Sequence, residues 1–506
     1  ILALIELKNA KMKNLLIFIL LVHISLIYAQ AETGEIVSSN DTCKNIDLYL
    51  SKLSMEKNFS GGLLIVKDGK KIFSKGYGWA NKEMKIPFSS NTIASMGSIT
   101  KAFTASAIMK LVEAGKVSVD DKLKKYFPDV PADKSEITIH QLLTHSSGFS
   151  EFLEKDGGDY EKVTTPEYLK RAFEQPLAFN PGAKAIYTNV GMSILAIIIE
   201  KVSGLDYEEY LKQELFDPIG VRRISYCYPE LNTDTIAHGY ENGTDWGTHQ
   251  SHFKNAGGGP YWNLKGNGGL EASLNDMYTW VNAISSAKVL KESTIQTMFK
   301  RHIVEEGMDG NYYFGYGCNV SKSRRNTDII DNGGSNGIYY ARLIRLPEEG
   351  VVFYMVTNEK SANTNKVLPN ITQLYFQGKI VQDAFEMQSG FESPVSEKIF
   401  NIIRGNNQIN LDDTLRKAKI VVNDDMELYE VGRRFVDNGN TEAAFCLFKY
   451  FTEKYPELVV GWNELGEVYE LKNNNPEAIK CYTKALVLRP ENPRATSNLK
   501  KLSKKQ

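Results

Sequence analysis

Apolar positions fall into three successive patterns along the chain. Gly61-Gly62-Leu63-Leu64-Ile65-Val66 is a short continuous run, Asp68-Gly69 is a two-residue turn, and Lys71-Ile72-Phe73-Ser74 returns as a partner strand. The period then lengthens. From Ser98 to Ala114, Ala102, Ala105, Ile108, Met109 and Leu111-Val112 fall on one helical face, and Gly115 closes the end. Further helical patterns run over 189–202, 207–215 and 275–285. Strand patterns return over 312–320, 336–346 and 351–356, with Pro347-Glu348-Glu349-Gly350 turning the last two into a hairpin. An N-terminal hairpin, a helical middle and C-terminal strands predict one α+β domain over 32–378. Its antiparallel sheet is completed by both ends of the segment and flanked by helices. Residues 379–424 are polar and irregular, and their composition predicts a linker.

From residue 425 the sequence repeats with a period of 34, as in the pairs Gly432/Gly466, Ala444/Ala478, Phe448/Tyr482 and Pro456/Pro490. In the second unit Trp462, Leu465, Gly466, Tyr469, Ala478, Tyr482, Ala485 and Pro490 fit the signature of a tetratricopeptide repeat. Small residues there let two helices approach, and Pro ends the second. Residues 425–506 are therefore expected to form an all-α repeat domain, with 493–503 as a polar terminal helix. Such repeats suggest a protein partner, although two units are fewer than usually stand alone.

The 506 residues are too many for one ordinary domain, and the net charge of −1 gives no reason to expect nucleic acid as a partner. Cys43, Cys227, Cys318, Cys446 and Cys481 lie far apart with no CxxC pair, so no metal site is expected and no cofactor is called for. The N-terminus reads as an address. Within residues 1–31, Met12 is the expected start, Lys13 is basic, and 15–28 is an apolar stretch ahead of Ala29-Gln30-Ala31. That stretch would span about 21 Å as a helix, short of a bilayer core of about 30 Å. A cleaved signal peptide and an exported chain, periplasmic or extracellular and without a stable membrane span, are expected.

Candidate chemistry starts at Ser98-Ile99-Thr100-Lys101. Three residues apart on a helix, a hydroxyl and an amine share a face. A desolvated neutral lysine can take the serine proton, and N–H groups at a helix start favour a developing oxyanion. Alone this pattern is common. Its surroundings are specific: residues 93–103 with 111–116, residues 137–149, Phe179-Asn180-Pro181-Gly182 with Tyr187-Thr188-Asn189, and residues 268–277. In order and spacing these segments resemble the serine β-lactamase and penicillin-binding-protein family. The likeness covers about 45–375 and is closest to the class C β-lactamase, D-alanyl-D-alanine carboxypeptidase and esterase branch. It implies a β-lactamase/transpeptidase-like fold and an acyl-serine hydrolase of an ester or amide, on a small-molecule or peptide substrate. It also implies Ser98 as nucleophile, Lys101 as its activator, Tyr187 as proton shuttle and Asn189 as holder of the substrate amide or the lysine. A shuttling tyrosine needs a depressed pKa, which a cationic Lys101 would supply.

The third motif departs from the pattern. Asp331-Asn332-Gly333-Gly334 stands where relatives carry Lys-Thr-Gly or His-x-Gly-Gly. The resemblance implies that the Gly334 N–H joins that of Ser98 in the oxyanion hole, and glycines suit an edge strand approached by substrate. Asp331, however, puts an acid where a base is usual. It is expected to repel a substrate carboxylate, to keep Lys101 charged and to raise the pKa of Tyr187, weakening β-lactamase and carboxypeptidase activity. The competing expectation is a catalytically weakened scaffold acting through its repeats. His140 and His145 are expected to be structural, Gly257-Gly258-Gly259-Pro260 to form a rim loop, and Tyr261, Trp262, Tyr339 and Tyr340 to line the cleft or pack.

Overall fold

The computed structural model describes residues 35–227, 235–241, 243–306, 312–323, 325–360, 364–380, 394–404, 410–422, 425–437, 440–490 and 492–503. The expected signal peptide lies outside them. The chain divides into two compact units, residues 1–364 with 371–379 and residues 365–370 with 380–506.

The first unit is built on a nine-stranded antiparallel sheet. Its strands are β1 (Ile36–Val37), β2 (Gly61–Lys67), β3 (Lys70–Tyr77), β4 (Ile303–Val304), β5 (Tyr313–Phe314), β6 (Asn319–Lys322), β7 (Asp328–Ser335), β8 (Tyr340–Leu346) and β9 (Val351–Thr357). Their order is β1-β3-β2-β9-β8-β7-β6-β5-β4. β2 pairs with β9 from Gly61↔Thr357 to Lys67↔Val351, so both ends of the segment complete one sheet as expected. One face, with Leu64, Val66, Ala341, Leu343 and Tyr354, joins a large core shared with the helical middle. On the second face lies the helix Asp41–Lys57, which buries Cys43, Ile46, Leu50 and Leu53.

Two sequence expectations need correction here. The single strand over 312–320 is two short strands, β5 and β6, which pair with each other. Between them Gly317 takes φ +68°, and a Cβ there would meet the Lys101 carbonyl oxygen at 2.6 Å, so the chain turns where only glycine fits. The strand carrying the third motif is not an edge. β7 is flanked by β8 from Ile330 to Ser335 and by β6 from Asp328 to Asp331, so its Asn332–Ser335 end has a partner strand on one side only.

The helix that follows Ser98 crosses the core. α1 (Thr100–Glu113) buries Phe103, Ala105, Ile108, Met109 and Leu111. Phe103 meets Trp280 at 4.6 Å and Phe216 at 5.5 Å between ring centroids, an anchor whose truncation to Ala costs about 3–5 kcal/mol. α2 (Asn189–Ser203) packs beside it, capped by the Thr188 hydroxyl, which accepts from the Gly191 N–H, and closed by Gly204 at φ +75°.

The second unit contains the helices Asp425–Asp437, Thr441–Lys454, Val459–Leu471, Asn475–Leu488 and Pro493–Ser503. They form two helix–turn–helix repeats and the terminal helix. Gly432 and Gly466 are small for the reason the repeat demands: a Cβ would come within 2.3 Å of Phe448 and 2.7 Å of Tyr482. The linker expected over 379–424 is not wholly irregular. Pro394–Arg404 and Leu411–Lys417 are helices whose Ile399, Ile403, Leu411 and Leu415 are buried in the same core as Leu447 and Phe451. Burial of that short apolar stripe outweighs the polar composition.

Candidate active site

The turn that presents Ser98 is held from three sides. Gly97–Ile99 is a 3-10 turn running directly into α1. Gly97 takes φ +51°, and a Cβ there would meet the Ser335 nitrogen at 2.7 Å, so glycine is required. The turn is preceded by a two-residue strand, Ala94–Ser95, paired with Glu271–Ala272. The Met96 N–H donates to the Leu270 carbonyl at 2.8 Å, and the Leu270 N–H donates to the Thr100 hydroxyl at 3.0 Å.

Lys101 follows within the same turn of chain, 3% exposed. Its Nζ donates to Ser98 Oγ at 3.1 Å, to Asn189 Oδ1 at 2.6 Å and to the Asn267 carbonyl at 2.5 Å. No carboxylate lies within ion-pair distance of it among the described residues. Burial drives its pKa well below the usual lysine value, against the opposing fields of Glu151 and Asp159. Burial thus works against the ammonium form, while the three oxygen acceptors around Nζ favour it.

Tyr187 lies on the other side, its ring 4.6 Å from the lysine Nζ, and its hydroxyl is hydrogen-bonded to Ser98. Burial pushes its pKa up, opposed by the Ser98 hydrogen bond and assisted by Glu151 and Glu305. Both shifts run opposite to the expected pairing of a charged lysine with a low-pKa tyrosine: the lysine is lowered and the phenol is raised. His145 backs this segment. Its carbonyl accepts from the Ile186 N–H at 3.0 Å, its Nδ1 accepts from the Thr188 N–H at 3.2 Å, and burial holds its pKa at about 3. The imidazole is thus a neutral support for Tyr187, the structural part expected of it.

The third motif divides between two faces of β7. A Cβ on Gly334 would fall 2.0 Å from the Met96 carbonyl oxygen and 2.8 Å from the Ser98 nitrogen, so this glycine alone permits the strand to lie on the nucleophile turn. Asn332, on the same face, donates to the Gly317 carbonyl at 2.6 Å. Alternation puts Asp331 and Gly333 on the opposite face. There Asp331 is held in a two-pronged pair by Arg342, at 3.1 Å from Nε and 2.7 Å from Nη2. Arg342 sits across from Gly333 on β8, one step along from Asp331. The carboxylates acting on Lys101 and Tyr187 are Glu151, Asp159 and Glu305. The expectation that Asp331 perturbs both groups therefore fails, because a cross-strand arginine has claimed it.

Ser98, Lys101, Tyr187, Asn189 and Gly334 thus converge, Gly333 lies exposed with open space over its Cα, and Asp331 is turned away. This constellation matches the family model described as Beta-lactamase over residues 50–374. The chain belongs to that family. A second family model, Tetratricopeptide repeat, matches residues 459–492. The chain is similar to a putative penicillin-binding protein, PbpX, of Bacillus subtilis, at 30% identity over 273 residues, 53% of this chain and 64% of that relative. It thus spans less than two thirds of that relative's length. Penicillin-binding protein 4* of the same organism is 22% identical over 63% of this chain and 72% of its own length. Among solved structures, an octameric penicillin-binding protein homologue from Pyrococcus abyssi superposes with a TM-score of 0.59 at 28% identity, over 71% of this chain and 81% of that one. A penicillin-binding protein from Bacillus halodurans gives 0.56 at 26% identity, over 64% of this chain and 99% of that one. Members of this family are in general serine hydrolases.

Two of the four aromatic candidates resolve into packing. Tyr339 and Trp262 are buried, the Tyr339 hydroxyl donating to the Ala237 carbonyl at 2.8 Å and the indole N–H to Thr165 at 2.9 Å. The five cysteines are all free thiols. Three groups escaped the sequence reading. The Asn267 carbonyl binds Lys101 through its backbone, which carries no residue signature. Glu151 and Asp159 lie in an ordinary polar loop, although their place just after the 137–149 segment was a usable hint.

Proposed function

We propose that the chain is a serine hydrolase that cleaves an ester or amide through an acyl-Ser98 intermediate. The observation that carries this reading is the buried Lys101 amine, without a carboxylate partner among the described residues, 3.1 Å from the Ser98 hydroxyl. Lys101 Nζ takes the Ser98 proton while Oγ adds to the substrate carbonyl. The N–H groups of Ser98 and Gly334 receive the oxyanion. Collapse breaks the bond to the leaving group, which takes the Tyr187 phenol proton, and Lys101 returns its own proton to the phenolate oxygen. A water then adds to the acyl carbon by the same route, releasing the acid and restoring Ser98.

Asn189 both holds Lys101 and is available to a substrate amide. With Glu151, Asp159 and Glu305 as the neighbouring charges, a neutral or cationic acyl substrate is favoured over one bearing a carboxylate, so β-lactams and D-alanyl peptides are expected to be poor substrates. The apolar stretch of 15–28 supports export to the cell envelope, and the repeats support docking of a protein partner.

A fluorophosphonate probe and a p-nitrophenyl ester test the reading. Parental protein is expected to be labelled and to turn over ester, and Ser98→Ala to lose both. Labelling unchanged in Ser98→Ala would favour the weakened scaffold instead.

A further inference from the structure

A buried histidine outside the catalytic set ties the turn that carries Ser98 to the strand that carries Gly334. His249 is 1% exposed, on the short helix His249–Asn255. Its Nε2 lies 3.1 Å from Ser95 Oγ and 3.2 Å from Asn336 Nδ2, and its Nδ1 lies 2.6 Å from the Tyr160 hydroxyl. Ser95 precedes the nucleophile by three residues, and its hydroxyl accepts from the Gly97 N–H at 3.4 Å. Asn336 follows Gly334 by two. One imidazole therefore spans from the nucleophile turn to the end of β7, the two pieces whose N–H groups would meet the oxyanion.

The hydrogen bonds fix the protons. Asn336 Oδ1 accepts from the backbone N–H groups of Ile338 at 3.1 Å and Tyr339 at 2.9 Å. Its amide group is thereby oriented, and the NH2 faces His249. Nε2 must then be the bare acceptor, so Nδ1 carries the proton and donates to the Tyr160 oxygen. A doubly protonated ring would set Nε2–H against the Asn336 N–H. Burial and the neighbouring His252 keep the ring from that form, holding its pKa at about 3.

We propose that His249, as the neutral Nδ1–H tautomer, is a positioning residue that sets the separation of the Ser98 and Gly334 N–H donors. This rests on the serine-hydrolase reading. Oxyanion stabilisation depends on donors fixed before the charge develops, and a displacement near 1 Å costs about a hundredfold. The ring touches no reacting atom, so its loss acts on the transition state rather than on substrate docking.

The test compares parental protein, Ser98→Ala, His249→Phe, His249→Gln and Ser95→Ala on a p-nitrophenyl ester. Rates are normalised to sites titrated by the ester burst, and phenylboronic acid serves as a transition-state mimic. His249→Phe is expected to lower kcat about ten- to a hundredfold with KM within about threefold, and to weaken the boronate by the same factor as kcat. His249→Gln, whose carbonyl can still accept from Asn336, is expected to recover part of both. Ser95→Ala deletes one hydroxyl and keeps the test decisive if the larger change impairs folding; it is expected to lower kcat and boronate affinity together by several-fold. Parental kcat in titrated His249→Phe or Ser95→Ala, or a fall in kcat with unchanged boronate affinity, overturns the proposal alone. Parental turnover that survives Ser98→Ala overturns the serine-hydrolase reading, and this inference with it.

Discussion

Each compact unit buries a charged side chain, and the two are handled in opposite ways. In the repeat unit Glu464 is 1% exposed, and both Arg433 and Arg494 pair with it while also reaching Glu467. In the hydrolase unit Lys101 is 3% exposed and meets one hydroxyl and two amide oxygens. A buried carboxylate surrounded by counter-ions serves packing and register. A buried amine given only neutral acceptors has its pKa lowered, which favours the free base that a serine nucleophile needs. Burial is shared, so the partners separate structure from chemistry.

The most severe way to break this contrast is Lys101→Met. The amine goes while length and burial stay, and kcat/KM for an ester is expected to fall at least a thousandfold, read from steady-state rates and burst amplitude. Thermal stability should hold or rise. A lysine with a lowered folded pKa binds fewer protons than the unfolded chain between that value and about 10.4, so it destabilises the fold there, and the loss shrinks as pH rises. Near-parental activity in Lys101→Met would end the assignment of the base.

Glu464→Gln sharpens the other side. Removing the shared carboxylate takes one ion-pair partner from each of two arginines, with a cost of about 1–3 kcal/mol to the repeat unit. Solvent relieves part of it, since Arg433 and Arg494 remain 27% and 38% exposed. Chemical denaturation should show an earlier transition, with the ester kcat unchanged. A loss of activity without a loss of stability would contradict the structural role.

The pH profile is gentler and tests the same lysine. With Lys101 depressed and Tyr187 raised, kcat/KM should rise with pH through the lysine's lowered pKa and stay level up to about 10, where an ordinary tyrosine would begin to ionise. An acid limb marking the lysine, absent in Lys101→Met, is the expected signature. A fall in rate beginning well below pH 10 would restore the tyrosinate reading.

These partners set the limit of what the sequence makes legible. Ser98 and Lys101 are readable from their spacing at a helix start, and Tyr187 and Asn189 from the family resemblance of the segments around them. The β2–β9 closure is readable because both ends carry strand patterns. The break at Gly315–Gly317 and the helix Pro394–Arg404 escaped, one because a left-handed turn interrupts an apolar run, the other because two buried isoleucines, Ile399 and Ile403, suffice for a short amphipathic helix. Asp331 was misjudged for a sharper reason. Its identity is plain at position 331, but its partner Arg342 lies eleven residues on, diagonal across β7 and β8, and the face it occupies depends on a register the sequence does not state.

That makes Asp331→Asn the smallest and most discriminating change. If the acid acted on the site, removing its charge would lower the pKa of Tyr187 and ease the approach of a substrate carboxylate. Hydrolysis of a chromogenic cephalosporin would then rise tenfold or more. Held by Arg342 on the face away from Ser98, the carboxylate instead stabilises the β7–β8 pair. Asp331→Asn is therefore expected to leave ester and cephalosporin kcat/KM within about twofold and to cost about 0.5–1 kcal/mol, the worth of a partly buried cross-strand ion pair. Arg342→Met should cost a similar amount of stability yet free the charge, and the pair read together separates the two accounts. Equal activities in both variants mean that Asp331 is a sheet residue. A gain in Asp331→Asn with a loss in Arg342→Met would mean that the arginine shields the site from it.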